Sequence, residues 1–304
     1  MSHKKLNIAL VTNKSYHHKY WIVEMMNQLN VKCIIHPNPT SSQGKYSFLK
    51  TTIKDKGFWY VILIFLTKLY YIFVSENLRS EFRSESKKWF SKSLLDYDNI
   101  DKQRIFNVNS VNSERAIKII KDNDIDVICF LGGDIAKSDF INASKIISLN
   151  YHSGVSPIYN GTGSYAWAVA EGRPNLVGGT LMEITEKIDY GNIISQFLPS
   201  IEENDTASSL FMKTIIGSVE LISNVIEKLV TGEEIKMVRQ ERSIRYTKSI
   251  DWTLYQEIQL QSFYKSKKIT KYIRESSVIV TSENKNNSPF IPETFVKTLK
   301  TQSV

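Results

Sequence analysis

The chain has 304 residues, 42% of them hydrophobic, and a formal net charge of +8 at pH 7. This size suits one large domain with an added piece, because domains run from roughly 50 to 250 residues. The charge would suit a nucleic acid, an anionic membrane surface or a phosphorylated small substrate. Residues 231–304 carry most of the positive surplus but no RNA-binding signature. We therefore expect a solvated surface there and no nucleic-acid partner.

The cysteines and the N-terminus predict a cytoplasmic protein. Cys33 and Cys129 lie in separate apolar runs and lack the spacing of a metal or redox motif. We expect both to be reduced thiols in the core. The first residues lead directly into a predicted strand, without the apolar core and cleavage site of a signal peptide, so export is not expected.

The first part of the chain predicts a strand, a helix and a second strand. The apolar runs Leu6–Thr12 and Val31–His36 have the length of buried strands, and the amphipathic stretch Trp21–Leu29 lies between them. The next region, from about 40 to 110, is irregular, aromatic and basic. We interpret it as a divergent helical insertion.

The segment 58–74 within this insertion is almost entirely apolar, with Lys68 at its centre. A membrane-spanning helix needs about 20 mostly apolar residues, and this segment is shorter. The pattern favours a buried or subunit-facing helix, and an interfacial helix is the alternative. A peripheral membrane contact and a homodimer contact through 58–74 both stay open. The basic residues that flank the segment are Lys54, Lys56, Arg79 and Arg83.

The second part of the chain alternates between helices and strands. The predicted strands are 125–130, 146–151, 177–184 and 192–198. The predicted helices are 114–121, 137–143, 165–171 and a long one from 206 to about 230, which Gly232 ends. Alternation of this kind indicates an α/β fold with a Rossmann-like, mostly parallel sheet flanked by helices.

The remaining residues, 232–304, are polar and rich in Lys and Tyr, and they include an Asn-Lys-Asn-Asn-Ser-Pro stretch. We expect a catalytic domain at 1–231, followed by a small C-terminal extension at 232–304. The composition of the last residues predicts a partly disordered end.

Asn150, His152 and Asp189 form the candidate catalytic set. Asn150 and His152 end a predicted strand, and their spacing of two residues points both side chains to the same side. An amide that donates to a developing oxyanion contributes about 3 to 4 kcal/mol, and an imidazole can take and return a proton near pH 7. Asp189, in a turn between two strands, can orient that imidazole or hold a relaying water. The set therefore predicts acyl transfer to an amine.

Glycine-containing loops follow two of the predicted strands. Gly154, Pro157 and Gly161 impose a defined irregular loop after His152, and loops held by rigid elements often carry reactive groups. Gly132 and Gly133 follow another strand, where the lack of side chains lets the backbone approach a flat heterocycle. Two glycines alone are also typical of an ordinary turn.

With these motifs the chain resembles the folate-dependent formyltransferase family. The resemblance rests on Asn-x-His at 150–152, the loop that follows, Gly178-Gly179-Thr180 and Asp189-x-Gly191. It implies the formyltransferase fold, a 10-formyltetrahydrofolate donor and no metal. It also implies that Asn150, His152 and Asp189 are the catalytic set. The residues that it places on the folate side are Leu131, Gly132, Gly133, Asp134, Ile135, Tyr190 and Gly191.

Differences between this chain and individual branches of the family reduce the number of acceptors that it is expected to use. Phosphoribosylglycinamide formyltransferases have a glycine-containing phosphate loop after the first strand, and Thr12–His18 contains no glycine. Methionyl-tRNA formyltransferases add a C-terminal barrel that is longer than the residues left here. The loop after His152 looks more like that of the amino-sugar N-formyltransferases. We therefore expect a small-molecule amine, such as a nucleotide-linked amino sugar for surface polysaccharide synthesis.

Three other functions stay open at this point. One is a methionyl-tRNA formyltransferase-like activity, because of the basic tail. Another is a non-catalytic folate-binding module that keeps the pocket without turnover. The third is an amine acyltransferase that uses a related one-carbon or carbamoyl donor.

Overall fold

The computed structural model describes residues 5–38, 52–240 and 242–280. The strands are β1 (Ile8–Thr12), β2 (Val31–Pro37), β3 (Ile105–Val108), β4 (Val127–Leu131), β5 (Ile147–His152), β6 (Tyr159–Gly161), β7 (Gly179–Glu183), β8 (Ile193–Leu198), β9 (Arg245–Thr247) and β10 (Ser277–Val280). The α-helices named here are α1 (Tyr16–Gln28), α2 (Phe58–Phe73), α3 (Leu78–Phe90), α4 (Ser93–Asp98), α5 (Glu114–Asp122), α6 (Ser138–Ile141), α7 (Ser164–Ala170), α8 (Ala207–Thr231) and α9 (Leu254–Lys265).

An eight-stranded sheet forms the centre of the fold, in the order β10-β8-β7-β5-β4-β1-β2-β3. The pairs from β5 to β3 are parallel, and β7, β8 and β10 continue the sheet as antiparallel strands. The predicted Rossmann-like, mostly parallel α/β fold is confirmed.

The alternation of side chains along β1 divides the core between the two faces of the sheet. Ile8 and Leu10 pack with α1 and α8 on one face, whereas Ala9 and Val11 pack with α5 on the other. Both faces are covered, so the central strands are apolar throughout. Helix α8 is long and apolar enough to span a bilayer, but 72% of the relevant window is buried inside the protein.

The chain beyond residue 231 is more closely joined to the domain than the predicted appendix suggests. Strand β10 pairs with β8 at the edge of the main sheet, and β9 pairs with β6 in the loop that follows His152. Backbone pairing of this kind between distant segments leaves little trace in a local sequence pattern. The end of the chain that was predicted to be partly disordered falls in 281–304, which lie outside the described residues.

The region predicted as a helical insertion, at about 40–110, contains α2, α3 and α4 and, at its C-terminal end, a strand. Residues 105–108 form β3, which pairs with β2 in the main sheet. The run is short and half-exposed because it lies at the sheet edge. Residues 39–51 of the insertion lie outside the described residues.

The favoured prediction for 58–74 was a buried or subunit-facing helix, and within this chain the helix is not buried. Thr67 is the buried residue of α2. Trp59 is 79% exposed and Phe73 is 80% exposed. The helix instead turns its polar groups inward: Tyr60 Oη donates to the Ile250 carbonyl, and Tyr71 Oη donates to Glu257. Hydrogen bonds to the C-terminal segment therefore determine which face of α2 packs.

Candidate active site

The carboxyl ends of β4 and β5 lie side by side, with Phe130 paired to Asn150. This register brings the loop after β4 next to the end of β5, at the edge of a parallel sheet where ligands bind. A cavity of about 430 Å³ opens there. All the site residues predicted from the sequence line it, namely Leu131, Gly132, Gly133, Asp134, Ile135, Asn150, His152, Asp189, Tyr190 and Gly191.

Asp189 contacts both other members of the candidate catalytic set. Its Oδ2 lies 3.4 Å from His152 Nδ1, and its Oδ1 accepts from Asn150 Nδ2 at 3.4 Å. The His152 and Asp189 side chains are only 7% and 11% exposed, so water screens their interaction weakly. The structure thus brings together three side chains whose convergence the sequence could only suggest.

The second ring nitrogen of His152 faces the backbone. Nε2 lies 3.0 Å from the carbonyl oxygen of Tyr159. Because a carbonyl can only accept, this contact requires a hydrogen on Nε2. Donation from Nε2 to a bound ligand requires His152 to release the Tyr159 carbonyl.

Gly154 gives the His152 ring the space for this arrangement. A β-carbon added at Gly154 would lie 2.4 Å from His152 Nε2 and 2.5 Å from the Tyr159 carbonyl oxygen. These separations are well below van der Waals contact, so a side chain there would displace the ring or the loop.

Buried polar groups of β7 and β8 hold the loop that follows His152. Thr180 Oγ1 accepts from the Ser156 amide at 3.0 Å and donates to the Gly154 carbonyl at 2.7 Å. Gln196 Nε2 donates to the Ser156 carbonyl at 2.7 Å. The bond between Ser156 and Pro157 is cis. The predicted irregular loop is therefore tied at several backbone groups.

Asn160 and Gln240 hold the turn that carries Asp189. Asn160 Nδ2 donates to the Asp189 carbonyl at 2.8 Å, and Gln240 Nε2 donates to the Gly191 carbonyl at 2.6 Å. The Gly161 amide donates to Asp189 Oδ2 at 3.0 Å. Asp189 itself has a φ of +51°, an uncommon value for a residue with a side chain. The turn therefore depends on the C-terminal segment as well as on the loop after His152.

The loop after β4 combines an exposed backbone with an unpaired acceptor. Gly132 and Gly133 have φ values of +74° and +135°, which favour glycine. Oδ2 of Asp134 is buried and has no hydrogen-bond partner among the described residues. A buried acceptor without a partner is costly, so this oxygen is suited to an N–H group of a bound heterocycle.

Two histidines that the sequence reasoning did not select also line the cavity. Burial lowers the pKa of His17 to about 4. Burial, with further contributions from His17 and His36, holds the pKa of His18 well below its ordinary value. Both rings are therefore uncharged near pH 7, and they add uncharged polar surface beside Gly132.

A second cavity of about 600 Å³ adjoins the first and shares Thr162 and Gly163 with it. Its walls come from α2, the start of α3, α7 and residues 249–252. The aromatic side chains in the walls are Tyr71, Trp167 and Trp252, and the cationic ones are Lys68 and Arg79. The Arg79 guanidinium lies 4.0 Å from the centre of the Tyr71 ring.

Sequence reasoning missed the residues that support the candidate catalytic set. Asn160 precedes a glycine in the loop that follows His152, and this position could have indicated its supporting role from the sequence. Gln240 lies in a polar stretch with no motif, and its role depends on tertiary contacts alone. In the described part of the chain, no group of three or more His, Cys, Asp or Glu could hold a metal ion.

Residues 78–226 match the model of the formyl transferase family. This segment is a formyl transferase domain. It contains the whole candidate catalytic set and the loop after β4, whereas α2 and residues 227–280 lie outside the match.

Curated relatives agree with this assignment over part of their length. The bifunctional polymyxin resistance protein ArnA of Wigglesworthia glossinidia brevipalpis is 28% identical over 149 residues, which are 49% of this chain and 23% of ArnA. Methionyl-tRNA formyltransferase of Bacillus thuringiensis is 32% identical over 128 residues, which are 40% of each protein. The match thus spans less than half the length of either relative.

Solved structures share the fold over most of the chain. A sugar N-formyltransferase from a Shewanella species has a TM-score of 0.50 at 15% identity, covering 85% of this chain and 87% of that one. WlaRD, a sugar 3N-formyl transferase solved in the presence of dTDP and 5-N-formyl-THF, has a TM-score of 0.50 at 18% identity, covering 86% and 80%. At these identities the likeness concerns the fold.

Proposed function

We propose that the protein transfers the formyl group of 10-formyltetrahydrofolate to the primary amine of a nucleotide-linked amino sugar. The contact of Asp189 with both His152 and Asn150, inside a formyl transferase domain, is the observation that carries this proposal. The amine attacks the formyl carbon, the bond from that carbon to the folate nitrogen breaks, and the nitrogen takes up a proton.

Each catalytic side chain has a distinct task in this proposal. The Asn150 amide donates to the oxygen of the tetrahedral intermediate. His152 Nε2 releases the Tyr159 carbonyl and then stabilises the same oxygen. Asp189 orients His152 and assists removal of the proton from the attacking amine. The exposed backbone at Gly132 and Gly133 fits a folate ring, as does Oδ2 of Asp134, which has no partner in the described part of the chain.

The second cavity supports the class of acceptor. Its aromatic rings can stack on a base or a sugar, and Lys68 and Arg79 can pair with phosphate. Its volume of about 600 Å³ is that of a small-molecule site. WlaRD, of the same fold, is itself described as a sugar 3N-formyl transferase.

The test follows tetrahydrofolate release with a panel of nucleotide-linked amino sugars, glycinamide ribonucleotide and charged initiator tRNA. We expect turnover with at least one nucleotide-linked amino sugar, and a loss of more than about a thousandfold in His152→Ala. Turnover only with tRNA would contradict the acceptor. Near-normal turnover in His152→Ala would contradict the mechanism. Folate binding without product for every amine would favour a non-catalytic module.

A further inference from the structure

Helix α2 presents a continuous apolar face to solvent. Its large exposed side chains occur as adjacent pairs seven residues apart, so they recur on one side of the helix. They are Phe58, Trp59, Phe65, Leu66, Ile72 and Phe73. The opposite side packs on residues 250–257 through Tyr60, Thr67 and Tyr71. No described residue covers the apolar side.

The dimensions of this face suit a surface contact. The helix has 16 residues, so it is about 24 Å long and shorter than the roughly 30 Å core of a bilayer. Its inner side is hydrogen-bonded to the protein and cannot face lipid. An apolar helix of this kind lies in the plane of the membrane interface and does not cross it.

Positive charge surrounds the apolar face. Residues 52–92 contain eight Lys and Arg against four Asp and Glu. Lys54 lies before α2 and is exposed, Lys56 is paired with Asp251, and Lys68 lies within α2 beside the second cavity. Arg83 and Lys87, exposed and one turn apart, follow on α3, whose axis is bent by 49° from that of α2.

The positive charge beside the apolar face favours a lipid surface over a second copy of the chain as its partner. A symmetric dimer through α2 would bring two identical cationic rims together, because such an interface pairs one patch with itself. The helix is also shorter than the three or four heptads of a stable coiled coil. An anionic bilayer instead complements the rim and covers the apolar side chains.

We propose that the apolar face of α2 and the basic residues beside it dock the protein onto an anionic membrane surface. Residues on the other side of the same helix, Ile64 and Tyr71, line the second cavity. That cavity would then lie about one helix diameter, 10 to 12 Å, from the lipid.

Sedimentation with vesicles tests this proposal without any assay of formyl transfer. We expect the full chain to bind vesicles of equal parts phosphatidylcholine and phosphatidylglycerol, more weakly at high salt, and to bind phosphatidylcholine alone poorly. The double variant Trp59→Glu/Phe73→Glu should lose about a hundredfold in affinity, because both side chains are already solvated in the folded protein. Arg83→Gln and Lys87→Gln should each cost about fivefold on the anionic vesicles only.

Ile146→Glu is the matched control, since Ile146 is an exposed apolar residue at the opposite end of the sheet. It should bind like the wild type. Absence of vesicle binding at low salt would overturn the proposal, as would binding that the Trp59→Glu/Phe73→Glu variant retains. A dimer in sedimentation velocity that the same variant dissociates, without vesicle binding, would assign the face to a second copy. If the double variant fails to fold, the two charge variants decide the question.

Discussion

The two adjoining cavities are built from different parts of the chain. Nearly all the residues that line the first lie within the formyl transferase domain, at the carboxyl ends of its strands. About half of those that line the second come from α2 and residues 249–252, outside the match. Under the proposed function, the difference teaches that the reaction and the choice of acceptor depend on different parts of the chain. In that proposal the domain core supplies the chemistry, and α2 and residues 249–252 help to shape the second cavity.

Asp189→Asn is the change to the first cavity with the largest expected effect. The amide keeps the shape of the carboxylate and removes the charge that faces His152, so kcat should fall about a hundredfold to a thousandfold. The KM for the acceptor should change little. Steady-state kinetics of tetrahydrofolate release measure both, with Asp122→Asn as an exposed control. A normal kcat would remove Asp189 from the mechanism.

Substitution of His17 tests whether a residue of the first cavity outside the segment 78–226 contributes to the stability of the fold. Its pKa in the folded protein, about 4, is below the ordinary value of 6.5. The unfolded chain therefore takes up the proton first, and stability is lost as the pH falls from about 6.5 to about 4. The contribution is on the order of 3 kcal/mol, since each pH unit corresponds to about 1.4 kcal/mol.

Urea unfolding of the wild type and His17→Phe between pH 7 and pH 4 measures this contribution. The variant should lose less unfolding free energy over that range. Parallel slopes for the two proteins would show that His17 does not account for the loss. The pKa of His18, which His17 helps to lower, should rise towards its ordinary value in the variant, and this reduces the loss of unfolding free energy further.

Lys68 and Arg79 test the second cavity. Lys68→Gln and Arg79→Gln remove charges that would pair with phosphate, so each should raise the KM of a phosphorylated acceptor about tenfold. The kcat and the KM of the folate should stay near normal, because neither residue lines the first cavity. Lys118→Gln on α5 is the control. A fall in kcat with an unchanged KM of the acceptor would contradict the proposal that the first cavity serves catalysis and the second serves acceptor binding.

Gln240 tests whether the C-terminal segment serves the first cavity as well as the second. Gln240→Ala leaves the Gly191 carbonyl without its donor, so the Asp189 turn should loosen and kcat should fall about fivefold to tenfold. Steady-state kinetics and thermal unfolding together distinguish a loosened Asp189 turn from a general loss of stability. An unchanged kcat in a variant that unfolds at a lower temperature would make the contact purely structural.

The core of the fold could be predicted from the sequence because its signals are local. The apolar runs of β1, β2, β4 and β5 have the length of buried strands, and Thr206 and Gly232 mark the two ends of α8. The strands β3, β6, β9 and β10 were missed. Each is only three or four residues long, and each is stabilised by pairing with a segment distant in sequence.

By itself the sequence determined the α/β fold class, the positions of Asn150 and His152 at a strand end, and the choice of Asp189. These follow from backbone periodicity and from the order of motifs along the chain. Only the tertiary structure decided that Asp189 meets His152, that Asn160 and Gln240 hold its turn, and that α2 faces outward. The physical reason is that each of these depends on polar contacts between residues far apart in the chain. Local sequence patterns carry no record of such partners.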